Sequence, residues 1–170
     1  EPELAHRVNA MGPEILALQC RERNVRFLHV STDFVFDGQK RIPYLETDAP
    51  NPLSVYGASK LQGERNIQDV MDTYFIVRTS WLYSEYGNNF IKTMLRLSET
   101  RDEISVVSDQ IGSPTCAGDL AEVLIKIVLS SSISYGIYHY SNGGIVSWYD
   151  FAVEIFKQLG KTIEVKPIKT

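Results

Sequence analysis

The chain is poor in the residues on which metal modules and small secreted folds depend: two cysteines and three histidines in 170 residues. Cys20 and Cys116 stand far apart, no CxxC occurs, and no histidine pair has ligand spacing. A disulfide framework and a zinc module are therefore excluded, no metal is expected, and reduced thiols in a cytoplasmic setting are the default. An excess of charge of one sign is also missing. Lys+Arg number 17 against 21 Asp+Glu, a net charge of −4 with no basic stripe. Neither a nucleic-acid surface nor an anionic-membrane surface is expected. No apolar run approaches the ~20 residues that cross a bilayer. The start, Glu1-Pro2-Glu3-Leu4, has no Met, no basic segment and no apolar segment. It reads as neither a natural start nor a signal peptide, so a piece of a longer protein is expected.

What is present is a 44% hydrophobic chain long enough to bury a core. Leu4, Val8, Met11, Ile15 and Leu18 recur at helical spacing and predict a core-facing helix. Gly12-Pro13 interrupts it, where proline cannot donate to the Asn9 carbonyl and should kink or restart the helix. Arg26–Ser31 and Tyr74–Ser80 read as short buried strands. A loop rich in Gly, Pro and Asp, Asp37–Pro52, separates the first from a helix over Val55–Val70 capped by Ser54. Asn88 or Asn89 caps the next helix, in which Phe90, Met94 and Leu97 share a face. Strand Ile104–Val107, loop Asp109–Thr115, helix Asp119–Leu129, strand Gly136–Tyr140, a Ser147-capped helix and a final strand at Ile163–Val165 follow. Strands alternating with helices indicate an α/β fold with a largely parallel sheet.

Three motifs carry chemistry: Ser31-Thr32-Asp33 at a strand end, Tyr56-x-x-x-Lys60, and Arg78-Thr79-Ser80-Trp81 at the next strand end. Ligands in open α/β sheets bind beyond the carboxyl ends of strands. Tyr56 and Lys60 are one helical turn apart and project from one face. A free tyrosine titrates near about 10, too high for ready proton transfer near neutrality. A lysine cation within ~4–6 Å favours the phenolate, making such a tyrosine a usable acid/base. A Thr32 hydroxyl on the same oxygen would stabilise developing alkoxide.

STDFVFDG (Ser31–Gly38), NPLSVYGASKLQGE (Asn51–Glu64), VRTSWLY (Val77–Tyr83), GNNFIKTM (Gly87–Met94) and DQIGSPT (Asp109–Thr115) occur in an order that resembles the extended short-chain dehydrogenase/reductases. Within that family the likeness is to the branch that reduces a dTDP-linked 4-keto sugar. The resemblance implies a Rossmann-like, doubly wound, mostly parallel sheet with a small C-terminal substrate-binding portion. Residues 1–108 would be the catalytic part of the dinucleotide-binding domain. Residues 109–170 would carry a substrate loop, a returning core strand and the start of the substrate domain. The implied activity is hydride transfer from NADPH or NADH to the 4-keto group of dTDP-4-dehydro-6-deoxy-L-mannose, giving dTDP-L-rhamnose. Thr32, Tyr56 and Lys60 match the catalytic triad. Tyr56 and Lys60, with Arg78 and Ser80, would approach the cofactor. Thr32, Asp33, Trp81, Asn89, Phe90 and Gln110 would hold the sugar nucleotide. A homodimer is also implied. Some members bridge a dimer through carboxylates and Mg²⁺, but Gly118 stands where such a member can carry Glu, so no metal is expected here.

The departure is the absence of the family's GxxGxxG turn, whose amides receive the cofactor pyrophosphate. Gly136, Gly143 and Gly144 do not fit its spacing, and the turn is expected roughly sixty to seventy residues before Glu1, with the family's opening strands. Weak binding of NADPH to these 170 residues alone is the corresponding expectation. A 4,6-dehydratase is disfavoured because Phe34, not Glu, follows Asp33, whereas an epimerase is harder to separate. The rival from another class is a non-catalytic subunit resembling the regulatory subunit of methionine adenosyltransferase. His29, His6 and His139 read as packing residues, and Asn9 either packs or serves a water chain. Phe34 and Phe36 read as strand residues, Tyr135, Tyr138 and Tyr140 as strand packing, and Glu46/Asp48 as a solvated pair.

Overall fold

A computed structural model describes residues 1–170. Along the chain, α1 (Pro2–His6), a π-helical turn (Arg7–Met11) and α2 (Gly12–Glu22) lead into β1 (Phe27–Thr32), a 3₁₀ turn (Asp33–Val35), α3 (Val55–Val70) and β2 (Tyr74–Thr79). Then come β3 (Leu82–Tyr83), α4 (Phe90–Leu97), β4 (Glu103–Val107), β5 (Ile111–Gly112), β6 (Thr115–Cys116) and α5 (Ala117–Leu129). The chain ends with β7 (Gly136–His139), β8 (Val146–Ser147), α6 (Trp148–Gln158) and β9 (Glu164–Ile168). The architecture is α/β, and four of the five strand pairings are parallel. Two compact units form: Glu1–Thr79 with Ala121–Tyr140, and Ser80–Leu120 with Ser141–Thr170.

The first unit is built on a parallel sheet ordered β1-β2-β7. Its register sets Ser31 opposite Arg78 and Thr32 opposite Thr79, so the carboxyl ends of β1 and β2 finish level. α3 begins where Ser54, in extended conformation, accepts the Gly57 N–H on its hydroxyl at 3.0 Å. Such a cap contributes about 1 kcal/mol. Ile67 of α3 is wholly buried with Ala17, Met71 and Ile76, and burying such a side chain contributes roughly 1.5–3 kcal/mol.

Proline at position 13 is absorbed without breaking the helix. The chain widens to a π turn, in which the Gly12 N–H donates to Arg7 O, and α2 starts with Pro13 in its first turn. The Asn9 carbonyl, deprived of its helical donor, packs against Gly63 of α3, where a Cβ would collide with it. This close approach overturns the predicted inner face of the first helix. Ala10, Pro13 and Ala17 are the buried positions, whereas Leu4, Val8, Met11 and Ile15 are each more than half exposed. Only small residues fit where the two helices nearly touch.

The second unit has three two-stranded pieces: β3-β6, β4-β9 and the antiparallel β5-β8. Its core joins Met94 of α4, Ile104 and Val106 of β4, and Ala152, Ile155 and Phe156 of α6. Alternating burial along β4 leaves Ile104 and Val106 inward. Ser147 and Asp150 form a reciprocal capping box that starts α6. The stretch predicted as a loop over Asp109–Thr115 contains β5, whose two residues pair with β8.

Candidate active site

Thr32 closes β1 and caps the 3₁₀ turn that follows. Its Oγ1 accepts the Phe34 N–H at 3.2 Å and donates to Asp33 Oδ1 at 3.1 Å. Burial pushes the Asp33 carboxyl above its ordinary value, against the lowering effect of the Thr32 hydrogen bond. Phe34 and Phe36 are therefore not strand residues. Phe34 sits in the turn, more than half exposed, with its ring edge-on to Tyr56 at 5.8 Å, while Phe36 stacks on Tyr44 at 4.2 Å.

Tyr56 lies in the first turn of α3, and Gly57 sets how closely that turn meets the end of β1. A Cβ on Gly57 would collide with the Phe34 carbonyl and stand 3.1 Å from Pro52 Cβ. Glycine lets the helix start lie directly on the 3₁₀ turn, and this seats Tyr56 beside Phe34, two residues after Thr32. Tyr56 is 48% exposed, so its phenol is reachable from solvent.

Lys60, one turn on, points its ammonium at β1, donating to Val30 O at 2.7 Å and meeting His29 Nε2 at 3.1 Å. An ammonium only donates, so His29 Nε2 accepts and the imidazole is neutral. Burial, with the Lys60 charge adding to it, lowers His29 to about 4. Burial also lowers Lys60 from the usual lysine value, opposed by the Glu64 carboxylate. His29 packs in the sheet as predicted, but its contact with Lys60, 31 positions away, is a relationship that the sequence does not display.

Beneath these residues is a buried ion pair. Glu64 is wholly buried and Arg78 is 4% exposed. Arg78 Nη2 donates to Glu64 Oε2 at 2.6 Å, and its Nε reaches both carboxylate oxygens at 3.0 and 3.2 Å. The Ser31 hydroxyl donates to Glu64 Oε1. Arg78 also lies over the Phe36 ring at 5.1 Å, and its Nη1 meets His139 Nε2 at 3.4 Å. His139, lowered by burial, uses Nδ1 toward Tyr44 O at 3.2 Å. Glu46 is not merely solvated: its Oε1 accepts the His139 backbone N–H at 2.9 Å, and Asp48 pairs with Lys40. Glu46 is lowered chiefly by its own backbone N–H, with that of His139 adding to it. The side chain of Arg78 is thus committed to Glu64 rather than presented at the surface. Glu64 ends the motif Asn51–Glu64, but the motif assigns it no role. Two cues do point to it: its place four residues after Lys60 on the face that buries Leu61 and Ile67, and an arginine ending an apolar strand, which needs a counter-charge.

Asn9 donates from its amide to Ser59 Oγ at 3.1 Å, a packing contact between the first helical segment and α3. Tyr135 and Tyr138 pack on Phe75, at 5.0 and 6.4 Å between ring centroids.

The remaining residues singled out by the sequence lie in the second unit. Ser80 donates to Ser113 O at 2.8 Å. Trp81 has a left-handed backbone, φ 46°, and stacks face to face on Trp148, 3.5 Å between ring centroids and 9° between planes. Phe90 packs on Trp148 at 4.5 Å and on Phe151 at 5.5 Å. Asn89 caps α4, its Oδ1 accepting Lys92 N–H at 3.1 Å while its Nδ2 donates to Ser84 O at 2.7 Å. Gln110 is exposed and donates to Thr170 Oγ1 at 3.1 Å. No cluster of three His, Cys, Asp or Glu is placed to hold a metal, and no helix is long and apolar enough to cross a membrane.

The chain is similar to known proteins. The chain is 51% identical over 162 residues to a dTDP-4-dehydrorhamnose reductase of Aggregatibacter actinomycetemcomitans, covering 93% of this chain and 55% of that protein. It is 44% identical over 170 residues to the spore coat polysaccharide biosynthesis protein SpsK of Bacillus subtilis, covering 100% of this chain and 59% of that protein. The crystal structure of a Bacillus anthracis dTDP-4-dehydrorhamnose reductase in complex with NADP superposes with a TM-score of 0.96 at 45% identity, over 100% of this chain and 60% of that one. The chain thus spans between half and two thirds of the length of these relatives. The model of the RmlD substrate binding domain matches residues 1–170, and the chain belongs to that family.

Proposed function

We propose that the protein reduces the 4-keto group of dTDP-4-dehydro-6-deoxy-L-mannose with NADPH, giving dTDP-L-rhamnose. The observation that carries this reading is the seating of an exposed Tyr56 against Phe34, in the turn that Thr32 caps, with Lys60 one helical turn away. The names of the relatives and the NADP held by the Bacillus anthracis enzyme support the substrate and the cofactor.

The donor set fits a nicotinamide cofactor. Lys60 has three N–H donors, of which Val30 O and His29 Nε2 occupy two, leaving one for a ribose hydroxyl. Bound NADPH supplies the hydride that goes to C4 of the sugar. Tyr56 gives its hydroxyl proton to the carbonyl oxygen as that oxygen gains charge, and the Lys60 cation favours the phenolate left behind. Thr32, turning its hydroxyl from Asp33 to the same oxygen, adds a hydrogen bond that strengthens as the alkoxide develops. One ketone, one NADPH and one proton yield one secondary alcohol and one NADP⁺. Phe34 carries no proton to transfer, which disfavours a dehydratase at this site. In this reading residues 1–108 supply proton transfer, residues 109–170 help hold the sugar nucleotide, and the protein acts as a homodimer.

The test is turnover by the full-length protein. NADPH should be oxidised in the presence of the keto sugar, and Tyr56→Phe should slow this by about 10²-fold or more. Unchanged turnover in Tyr56→Phe would remove Tyr56 from the mechanism. Absence of turnover in a folded wild type would favour a binding subunit.

A further inference from the structure

Trp81 is held in an arrangement that costs energy. A left-handed conformation is strained at a residue with a side chain, and φ 46° places Trp81 there. Its carbonyl is fixed by the Thr115 N–H at 3.1 Å, next to the pairing of Leu82 with Thr115. One face of its indole is covered by Trp148, whose ring lies 3.5 Å away and nearly parallel. Gly112 lies on the opposite face: a Cβ there would stand 2.5, 2.7 and 2.8 Å from Cε2, Cζ2 and Nε1. A nearly eclipsed stack leaves no room for those contacts on the Trp148 side. Trp148 is anchored in turn by Phe90 at 4.5 Å and starts α6 directly after the Ser147–Asp150 capping box.

With both faces of Trp81 covered, a ligand meets its edge and not its π face. We propose that Trp148 is a positioning residue that clamps Trp81 against Gly112, so that Trp81 presents its ring edge as a rigid wall for the nucleotide-linked sugar. The identity of that ligand rests on the reductase reading; the clamp itself does not. A loosened Trp81 would relax out of its strained backbone, and the wall that selects the sugar would be lost before any change in proton transfer.

The chain has two tryptophans, and they are this pair. The experiment uses the full-length protein with Trp148→Phe, Trp148→Leu and Gly112→Ala. In far-ultraviolet circular dichroism the wild-type minus Trp148→Phe difference should show an exciton couplet, which titration with dTDP-L-rhamnose perturbs. Trp148→Phe should raise the KM for the keto sugar and the Kd for dTDP-L-rhamnose by about tenfold, the scale of one lost contact. The kcat should stay within about twofold and the KM for NADPH should not move, because the proton-transfer groups are intact. Trp148→Leu should do more, and Gly112→Ala should reproduce the KM effect from the other face. If Trp148→Leu fails to fold, Trp148→Phe keeps the ring volume and carries the test. A missing couplet in the wild type, or a lost couplet with unchanged Kd and KM, would overturn the proposal, including the case where Trp148→Phe lowers only the melting temperature. Absence of wild-type turnover would defeat the reductase reading alone, since the couplet and the Kd for dTDP-L-rhamnose still decide the clamp.

Discussion

Glu64 and Arg78 form a wholly buried ion pair, 2.6 Å between Nη2 and Oε2, that ties α3 to β2. Through the Ser31 hydroxyl the same carboxylate reaches β1, so one side chain ties β2 to both elements that present Thr32, Tyr56 and Lys60. Removing one partner leaves an uncompensated charge in the core. Glu64→Leu should cost about 3–5 kcal/mol, whereas Glu64→Leu with Arg78→Met should recover much of that loss. Urea denaturation of the single and double variants checks this. A single variant as stable as wild type would show the pair to be dispensable.

Gly57 offers a sharper probe of the site because it touches geometry without charge. Gly57→Ala drives a Cβ into the Phe34 carbonyl, and either α3 or the 3₁₀ turn must move. A cost of roughly 1–3 kcal/mol is expected. Turnover should fall further than stability, because the same shift moves the start of α3, which carries Tyr56, relative to the turn that Thr32 caps. Kinetics measured well below the variant's melting temperature separate the two effects.

The parts of this arrangement that are legible in the sequence are those written locally. Ser54, Asn89 and Ser147 each announce a helix start by a side chain acting within three residues. The strands at Phe27–Thr32 and Tyr74–Thr79 announce themselves by composition. Relationships between distant positions are not written this way. The stripe Leu4, Val8, Met11 and Ile15 has helical periodicity but faces outward, because close approach of α2 to α3 selects Ala10, Pro13 and Ala17. β5 and β8 have two residues each, too few for any period. Glu64 on a mixed helix looks solvated until Arg78 is placed opposite it.

His29 gives the protein an acid-side sensitivity that its carboxylates alone would not. Its ordinary value is 6.5 and in the fold it is held at about 4, so the unfolded chain takes up the proton first. Its contribution is fully present above pH ~6.5 and is lost as pH falls through ~4, by up to about 3 kcal/mol. His139, also lowered by burial, adds to the same slope. Urea midpoints should therefore drop between pH 7 and pH 4.5, and His29→Gln, which keeps an acceptor for Lys60, should flatten the dependence. An equal drop in His29→Gln would assign the sensitivity elsewhere.

Asn89 discriminates between two roles for one side chain. The resemblance that the sequence carries makes it a sugar-nucleotide ligand, yet both ends of its amide are engaged by backbone, Oδ1 by Lys92 N–H and Nδ2 by Ser84 O. As a helix cap it should be worth about 1 kcal/mol, lost in Asn89→Ala and largely kept in Asn89→Asp, which retains the acceptor for Lys92. The aspartate loses the donor to Ser84 O and turns a carboxylate oxygen toward that carbonyl, a cost that its favourable charge at the start of α4 opposes. If capping is the whole of its role, melting temperature should fall for alanine and recover for aspartate, with the KM for the keto sugar unmoved in both. A KM that rises in Asn89→Asp while stability is restored would show that the amide leaves its cap to bind the substrate.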